Sequence, residues 1–323
     1  MEYAYLGRTG LKVSRLCLGT MNFGPETNEE DSFAIMHAAL EQGLNFFDTA
    51  NVYGRKPGEG VTETIVGNWF AQSGRRDKVV LATKVYGEMG KWPNESRLSA
   101  LHIRNACDAS LKRLRTDHID LYQMHHIDRA SPWEEIWQAM EVLVQQGKVL
   151  YVGSSNFAGW HIAQANEIAK QRNFMGLVSE QSKYNLLTRH IELEVLPACQ
   201  KYGVGVIPWS PLAGGALAGT GRRGSAEKTR RDADWVRPQR EKHAEQLGRY
   251  EALCQKLGHE PADVALAWLL TRPAVASPII GPRTLEQLTT SLGALEIKLD
   301  EATLKTLDEI FPGFKTAPEE YAW

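Results

Sequence analysis

Eight short apolar runs, separated by stretches with helical spacing, constrain this chain more than anything else in it. They are Leu16 to Gly19, Leu44 to Asp48, Val79 to Lys84, Ile119 to Met124, Val149 to Gly153, Leu177 to Gln181, Val204 to Trp209 and Pro278 to Gly281. Between them, stretches such as Asp31 to Glu41, Ser99 to Arg113, Trp133 to Gln146, Trp160 to Gln171 and Ile191 to Lys201 repeat apolar residues every three or four positions, and often open with Ser, Thr, Asp or Asn. That is the pattern of amphipathic helices. Apolar strands alternating with helices imply a parallel sheet covered by helices, and eight such units favour closure into a (β/α)8 TIM barrel over an open doubly wound sheet. A length of 323 residues suits one α/β barrel domain spanning residues 1–323, with loop insertions.

Two features lie outside this repeat. Tyr3 to Leu6 and Lys12 to Arg15 flank the turn Gly7 to Gly10, which predicts an N-terminal β-hairpin. Gly219 to Asp232 is rich in Gly, Arg and Lys and reads as a mobile loop after the seventh strand, ahead of a helical stretch near Arg240 to Lys256. The segment after Pro312, ending in Trp323, has little pattern and reads as a surface tail.

With 43% hydrophobic residues, 24% charged residues and a net charge of -2, the composition argues against disorder, a nucleic-acid partner or an anionic membrane surface. Cys17, Cys107, Cys199 and Cys254 are scattered and form no Cys-x-x-Cys pair, so neither a disulfide framework nor a structural zinc site is expected. Buried free thiols, with no apolar leader at Met1 to Gly10 and no membrane span, imply a cytoplasmic protein. The oligomeric state is not legible.

In barrels of this kind chemistry sits where strands end. Three adjacent strand ends deliver Asp48, Lys84 and His125, and Tyr53 follows five residues after Asp48. A tyrosine with a pKa of about 10 is a poor acid near neutrality; a neighbouring ammonium favours the phenolate and would lower that value. Lys84 fits that role, Asp48 would keep Lys84 charged, and a neutral His125 would donate a hydrogen bond to a substrate oxygen. The set suits protonation of a carbonyl oxygen by Tyr53, with a hydride supplied by a cofactor.

The opposite strand ends offer a cofactor surface. Ser155, Asn156 and Gln181 carry groups able to bind a carboxamide, and Trp209 presents a flat ring able to stack on a nicotinamide. Ser210, Pro211, Leu212 and Gly214 belong to a small-residue loop that lets backbone amides approach phosphates. Gly281 and Arg283 precede a helix from Leu285 to Leu292, a start suited to a phosphate monoester.

The segments FDTANVYG (with Asp48 and Tyr53), ATK at Lys84, DLYQMH at His125, GSSNF at Ser155, WSPLAGG at Trp209 and IIGPRTLEQL near the end, in this order, resemble the aldo-keto reductase superfamily, in particular its long-chain bacterial type. The resemblance runs nearly end to end. It implies NADPH/NADP+ as cofactor, a Tyr53 acid assisted by Lys84, Asp48 and His125, and reduction of an aldehyde or ketone to an alcohol. It also implies cofactor contacts from Gly19, Thr20, Met21, Asp48 and Gln287, and a substrate mouth lined by Met21, Phe23, Tyr86, Trp92 and His126. The chain departs from the family at Thr290 and Ser291, where relatives often carry an acidic residue and Asn near the adenine, and at His126, where Trp or Arg is common.

Each residue also has a bland reading. Asp48 could cap a loop, Tyr53 could be an ordinary half-exposed aromatic, Lys84 a rim cation, His125 a satisfied core histidine, Trp209 a buried barrel-top ring and Arg283 a surface charge. Their joint placement favours chemistry. His125 and His126 could hint at a metal, but neighbouring strand residues point to opposite faces and no third ligand stands near, so no metal is expected. GTGRRG at 219–224 satisfies a dinucleotide-binding spacing yet opens no apolar helix, and Ser225 to Lys228 lacks the partner motifs of an acyl-transfer serine. The alternatives are a reductase dedicated to a keto-sugar or macrolide aldehyde, a cofactor-sensing binding subunit of potassium-channel type, and a barrel lyase or isomerase. The channel class commonly shows Asn at the position of His125.

Overall fold

A computed structural model describes residues 1–54, 56, 58–219, 234 and 236–322. Strands β1 (Tyr3–Tyr5) and β2 (Lys12–Ser14) pair antiparallel as the hairpin. Eight parallel strands follow: β3 (Cys17–Gly19), β4 (Phe46–Asp48), β5 (Val80–Val85), β6 (Ile119–Met124), β7 (Val149–Ser155), β8 (Leu177–Gln181), β9 (Gly205–Val206) and β10 (Ile279–Ile280), in spatial order β10-β3-β4-β5-β6-β7-β8-β9. The last seam is closed by Val206 N donating to Ala274 O, Ala276 N to Val206 O, and Ile279 N to Pro208 O. The sheet is therefore a (β/α)8 barrel.

Closure demands close approach between the first and last strands. A Cβ on Gly19 would lie 2.5 Å from Ile279 Cγ2 and 3.1 Å from the Ile280 carbonyl, so only glycine lets β3 and β10 pair at their ends.

The helices form the outer layer. Those expected from periodicity appear as α1 (Glu29–Glu41), α3 (Ala100–Leu114), α4 (Trp133–Gln145), α5 (Gly159–Gln171) and α6 (Val195–Tyr202). The stretch near Arg240 to Lys256 forms α7 (Arg237–Lys242) and α8 (Ala244–Leu257). The structure adds α2 (Val61–Ser73), α9 (Pro261–Thr271) and α11 (Glu301–Ile310), while α10 (Leu285–Leu292) follows β10. The tail is not patternless: α12 (Ala317–Tyr321) starts after Thr316 with a proline in its first turn. Residues 220–232 of the expected loop, with Arg222, Arg223, Lys228, Arg230 and Arg231, lie outside the described residues, as do the rest of GTGRRG and the Ser225 to Lys228 segment.

Inside the barrel the bottom layer is apolar. Leu6 from the hairpin turn is fully buried with Cys17, Phe46, Ala82, Leu121, Val178 and Ile207, and so plugs the end where the strands begin. Arg8 locks the plug by donating to the carbonyls of Leu177 (2.9 Å) and Tyr202 (2.7 Å) and, with a short contact, to that of Met175. All four cysteines are buried and free. Truncating the plug, Leu6→Ala, is expected to lower the unfolding free energy by about 2–5 kcal/mol in urea titrations; a loss below ~0.5 kcal/mol would show that the hairpin merely rests against the barrel.

Candidate active site

Side chains alternate along a strand, so a residue two positions beyond an inward apolar residue faces the same interior, one layer nearer the mouth. Phe46 thus leads to Asp48, Ala82 to Lys84, and Leu121 to Gln123. In β8 the parity is reset by a bulge: Val152 pairs with Leu177 but Gly153 with Ser179, so Val178 packs in the bottom layer and Gln181, not Glu180, joins the mouth. A bulge beside a site re-aims side chains in this way.

The chain leaving β4 stays attached to the sheet, with Thr49 N donating to Ala82 O and Asn51 N to Lys84 O, and then turns so that Tyr53 N meets Ala50 O. This folds Tyr53 back over the end of β5. The fully buried Lys84 ammonium donates to Asp48 Oδ2 at 2.6 Å, Thr49 O at 2.9 Å and Tyr53 Oη at 3.0 Å. The other Asp48 oxygen, Oδ1, accepts from Gln123 Nε2 at 3.1 Å and Gln181 Nε2 at 2.8 Å. Gln123, fully buried, was not expected from the sequence; its position two residues before His125, in phase with Leu121, is the signal that marks it.

Burial raises the Tyr53 pKa above its ordinary value and outweighs the lowering by Lys84, so the expected net depression is corrected: with the site empty of substrate the phenol is firmly protonated. Burial would depress Lys84, but Asp48 and Tyr53 beside it raise its pKa overall, keeping the ammonium charged. His125 is pushed down to about 2, first by burial and then by the Lys84 charge, and is neutral. A protonated phenol, a fixed ammonium and a neutral imidazole face one mouth.

His125 and His126 lie just past the end of β6, where strand alternation has ceased, and their rings stack at 5.0 Å and 2°. The expectation that they point to opposite faces is therefore corrected. Tyr53 meets His125 edge-on at 5.9 Å, and Tyr86 meets His126 at 5.2 Å, giving a continuous aromatic ladder along one side of the mouth. Among the described residues no group of three or more His, Cys, Asp or Glu side chains is placed to hold a metal ion.

On the far side, Trp209 donates through Nε1 to Asn156 Oδ1 at 3.0 Å, and Asn156 Nδ2 donates to His125 O at 3.2 Å. Ser155 Oγ donates to Gln181 O at 2.8 Å. Ser210 (φ 54°), Ala213 (φ 50°), Gly214 (φ 69°) and Gly215 (φ 104°) put four positive φ angles into the loop after Trp209, where Ala213 N donates to Ser210 O at 3.0 Å and Gly215 N to Leu212 O at 2.9 Å; Pro211 is buried within it and Leu212 half-buried. Arg283 stands before α10 and makes a loose 3.8 Å contact with Glu26, while Gln287 Oε1 accepts from Arg283 N at 2.8 Å and Thr284 caps the helix. Gly281 O accepts from Asn22 Nδ2 at 2.8 Å. Thr290 and Ser291 turn their hydroxyls back onto the α10 carbonyls of Glu286 and Gln287.

Some expected contacts are spent elsewhere. Thr20 is fully buried and its hydroxyl donates to Asp48 O at 2.9 Å. Phe23 is fully buried in the core with Leu18, Ile65 and Leu288, so it is not an open pocket wall. Met21 is exposed, and Trp92 is 79% exposed in the loop after β5, where its backbone N–H donates to Glu95 Oε2 and its carbonyl accepts from Glu95 N, so that its ring stands in solvent.

A lysine-backed phenol at the C-terminal mouth of a (β/α)8 barrel is an arrangement suited to oxidoreductase chemistry on carbonyl groups. The sequence profile of the Aldo/keto reductase family matches residues 15–311, and the chain belongs to that family. It is 56% identical, over the whole of both chains, to an uncharacterized oxidoreductase of Bacillus subtilis (strain 168), YrpG. It is 35% identical to the versiconal hemiacetal acetate reductase of Aspergillus parasiticus, covering 96% of each chain. A putative voltage-gated potassium channel subunit beta of Schizosaccharomyces pombe is also 35% identical, with 96% of this chain and 93% of that one covered.

The bulge leaves Glu180 pointing away from the mouth, fully buried, where it accepts from Ser154 Oγ (2.5 Å), Ser182 Oγ (2.6 Å) and Phe157 N (3.0 Å). Burial raises its carboxyl from 4.5 to about 7 despite these bonds. A folded-state value above the unfolded one gives stability that is full below about pH 4.5 and is lost as pH rises through about 7. Wild type is therefore expected to lose on the order of 3 kcal/mol across that window relative to Glu180→Gln; parallel pH profiles of unfolding for the two proteins would rule this out.

Proposed function

We propose that this protein reduces a small-molecule aldehyde or ketone to the alcohol with NADPH, Tyr53 supplying the proton. The observation that carries the reading is the 3.0 Å contact between Tyr53 Oη and a Lys84 ammonium that cannot move, because Asp48 and the Thr49 carbonyl hold its other protons. The residues opposite fit a dinucleotide. Trp209 offers a half-exposed ring, the small residues of 210–215 leave room for a phosphate to approach, and Arg283, whose ion-pair partner among the described residues is Glu26 at 3.8 Å, stands where a 2′-phosphate would meet a helix start. Bound there, NADPH supplies the hydride that adds to the carbonyl carbon.

The protein's own groups manage the oxygen. As the C=O electron pair moves onto oxygen, Tyr53 transfers its phenolic proton, and the phenolate left behind is stabilised by Lys84 at 3.0 Å. Neutral His125 is a donor for that oxygen and carries no charge that would compete for the proton. The phenolate then recovers a proton from solvent, closing the balance. That one relative is named a reductase of versiconal hemiacetal acetate supports reduction as the working direction. The buried unpaired cysteines support action in the reducing cytoplasm.

Two substitutions test the two halves. Tyr53→Phe is expected to lower kcat by roughly 10²–10⁴ in an NADPH absorbance assay over a panel of carbonyls, with cofactor binding by tryptophan quenching unchanged; retained turnover would sink the role. Arg283→Ala is expected to weaken NADPH binding about tenfold or more and leave NADH binding nearly untouched, as loss of a charge-assisted bond to a phosphate requires. Equal losses for both nucleotides would show that Arg283 does not read the 2′-phosphate.

A further inference from the structure

Asp48 is the hinge between the proton-donating pair and the cofactor side of the mouth, and its two oxygens are unequally served. Among the described residues Oδ2 has one hydrogen-bond partner, Lys84. Oδ1 has two, Gln123 and Gln181, and those two amides also touch each other, Gln181 Nε2 lying 3.3 Å from Gln123 Oε1. Gln181 Nε2 is thus shared between Asp48 and Gln123, whereas Gln123 Nε2 goes to Asp48. Gln181 sits at the end of β8, paired in register with Ser155, and in the reductase reading is the amide of the pair with a reason to change partners. Gln123 lies in the same layer, opposite Lys84 in register, and is fully buried in β6 with no exposure to solvent.

We propose that Gln123 is a positioning residue for the reduction: its buried carboxamide keeps a donor on Asp48 whichever partner Gln181 takes, and so holds Lys84 in place beneath Tyr53. The inference rests on the reductase reading for its kinetic part only. The physical case is that a carboxylate removed from water needs its oxygens occupied. If Gln181 alone served Oδ1, turning its amide toward a bound nicotinamide would leave Oδ1 bare. The carboxylate would then be free to rotate, and the 2.6 Å bond to Lys84, on which the Tyr53 contact depends, would loosen. With Gln123 present, the carboxylate stays clamped from both sides, and Gln123 Oε1 gives the Gln181 amide a fixed neighbour.

Two variants separate positioning from bulk packing. Gln123→Leu keeps the volume and removes the donor. It should lower kcat about 10- to 100-fold with the KM for the carbonyl little changed, since the residue touches no substrate. Gln123→Glu places a group that donates to Asp48 Oδ1 when protonated, as the amide does, and repels it when ionised. Of the titratable groups, Asp48 from β4 bonds to that position and Lys84 from β5 lies opposite it in register, while Tyr53 from the loop after β4 and Cys17 from β3 lie against the Asp48–Lys84 pair. The variant should therefore approach wild-type kcat at acid pH and fall progressively below it as pH rises, a profile that a merely structural role would not produce. The same comparison is made without cofactor or substrate by thermal melting: the Tm gap between Gln123→Glu and wild type should widen from about pH 5 to about pH 8.

If wild type turns over carbonyls while Gln123→Leu matches its kcat, or if both the pH–rate and the pH–melting curves of Gln123→Glu run parallel to wild type, the proposal is overturned. If wild type reduces no carbonyl at all, the reductase reading fails, and the melting comparison still decides whether Gln123 secures Asp48.

Discussion

A lysine and an aspartate taken fully out of water set the terms for the rest of this molecule. Burying an ion pair costs several kcal/mol per charge before any return, and it is tolerated only where geometry is tight and remaining hydrogen-bonding capacity is used. Lys84 spends three N–H donors on three acceptors, and Asp48 accepts at both oxygens. Those partners come from β4, β5, β6, β8 and the loop carrying Tyr53, so most of the barrel's circumference must be in register for the pair to exist. The apolar plug at Leu6 and the glycine that lets β3 meet β10 serve that requirement from the far end and from the seam.

The same layering explains what was legible in the sequence. Strand interiors are apolar on both faces, because one face meets the plug and the other the helices, so the eight runs stand out without alternation. Helices with a single buried stripe were visible for the same reason. Helix α9 is different: Val264 to Leu269 are all buried, since this helix packs under others, and a helix apolar all round gives no stripe to read. In α2 even Thr62 and Glu63 are buried, Glu63 receiving Thr83 Oγ1 at 2.5 Å and Arg113 Nε at 2.7 Å, so its polar residues face inward and blur the period. Strands β9 and β10 shrink to two paired residues each because the seam is closed by single bonds from flanking backbone, which no residue pattern announces.

At the mouth, Asp48, Tyr53, Lys84 and His125 were legible because strand ends are where a barrel displays chemistry, and residue type narrows the choice there. What was not legible depends on distances of a few ångströms or on local backbone. Gln123 reads as a polar interruption of an apolar strand until the register shows that it shares a face with Lys84 and Asp48. The stacking of His125 on His126 depends on the strand ending at Met124, one residue earlier than alternation would need. The sign of the Tyr53 shift depends on how deeply the ring is buried, since the lysine and the loss of water act in opposite directions.

The direction of that shift bears on how the site works. Burial favours the neutral phenol and Lys84 beside it favours the phenolate, so in the reduction proposed above the ammonium interacts most strongly once the proton has left. Stabilisation is thereby aimed at the product of proton transfer and not at the resting enzyme, which is the condition for lowering a barrier in place of merely tightening binding. His125 is likewise held neutral by burial and by the Lys84 charge, so it adds no second positive charge to the mouth. One fixed ammonium, placed by one fixed carboxylate, therefore pulls against burial at Tyr53 and with it at His125, the two groups proposed to meet the carbonyl oxygen.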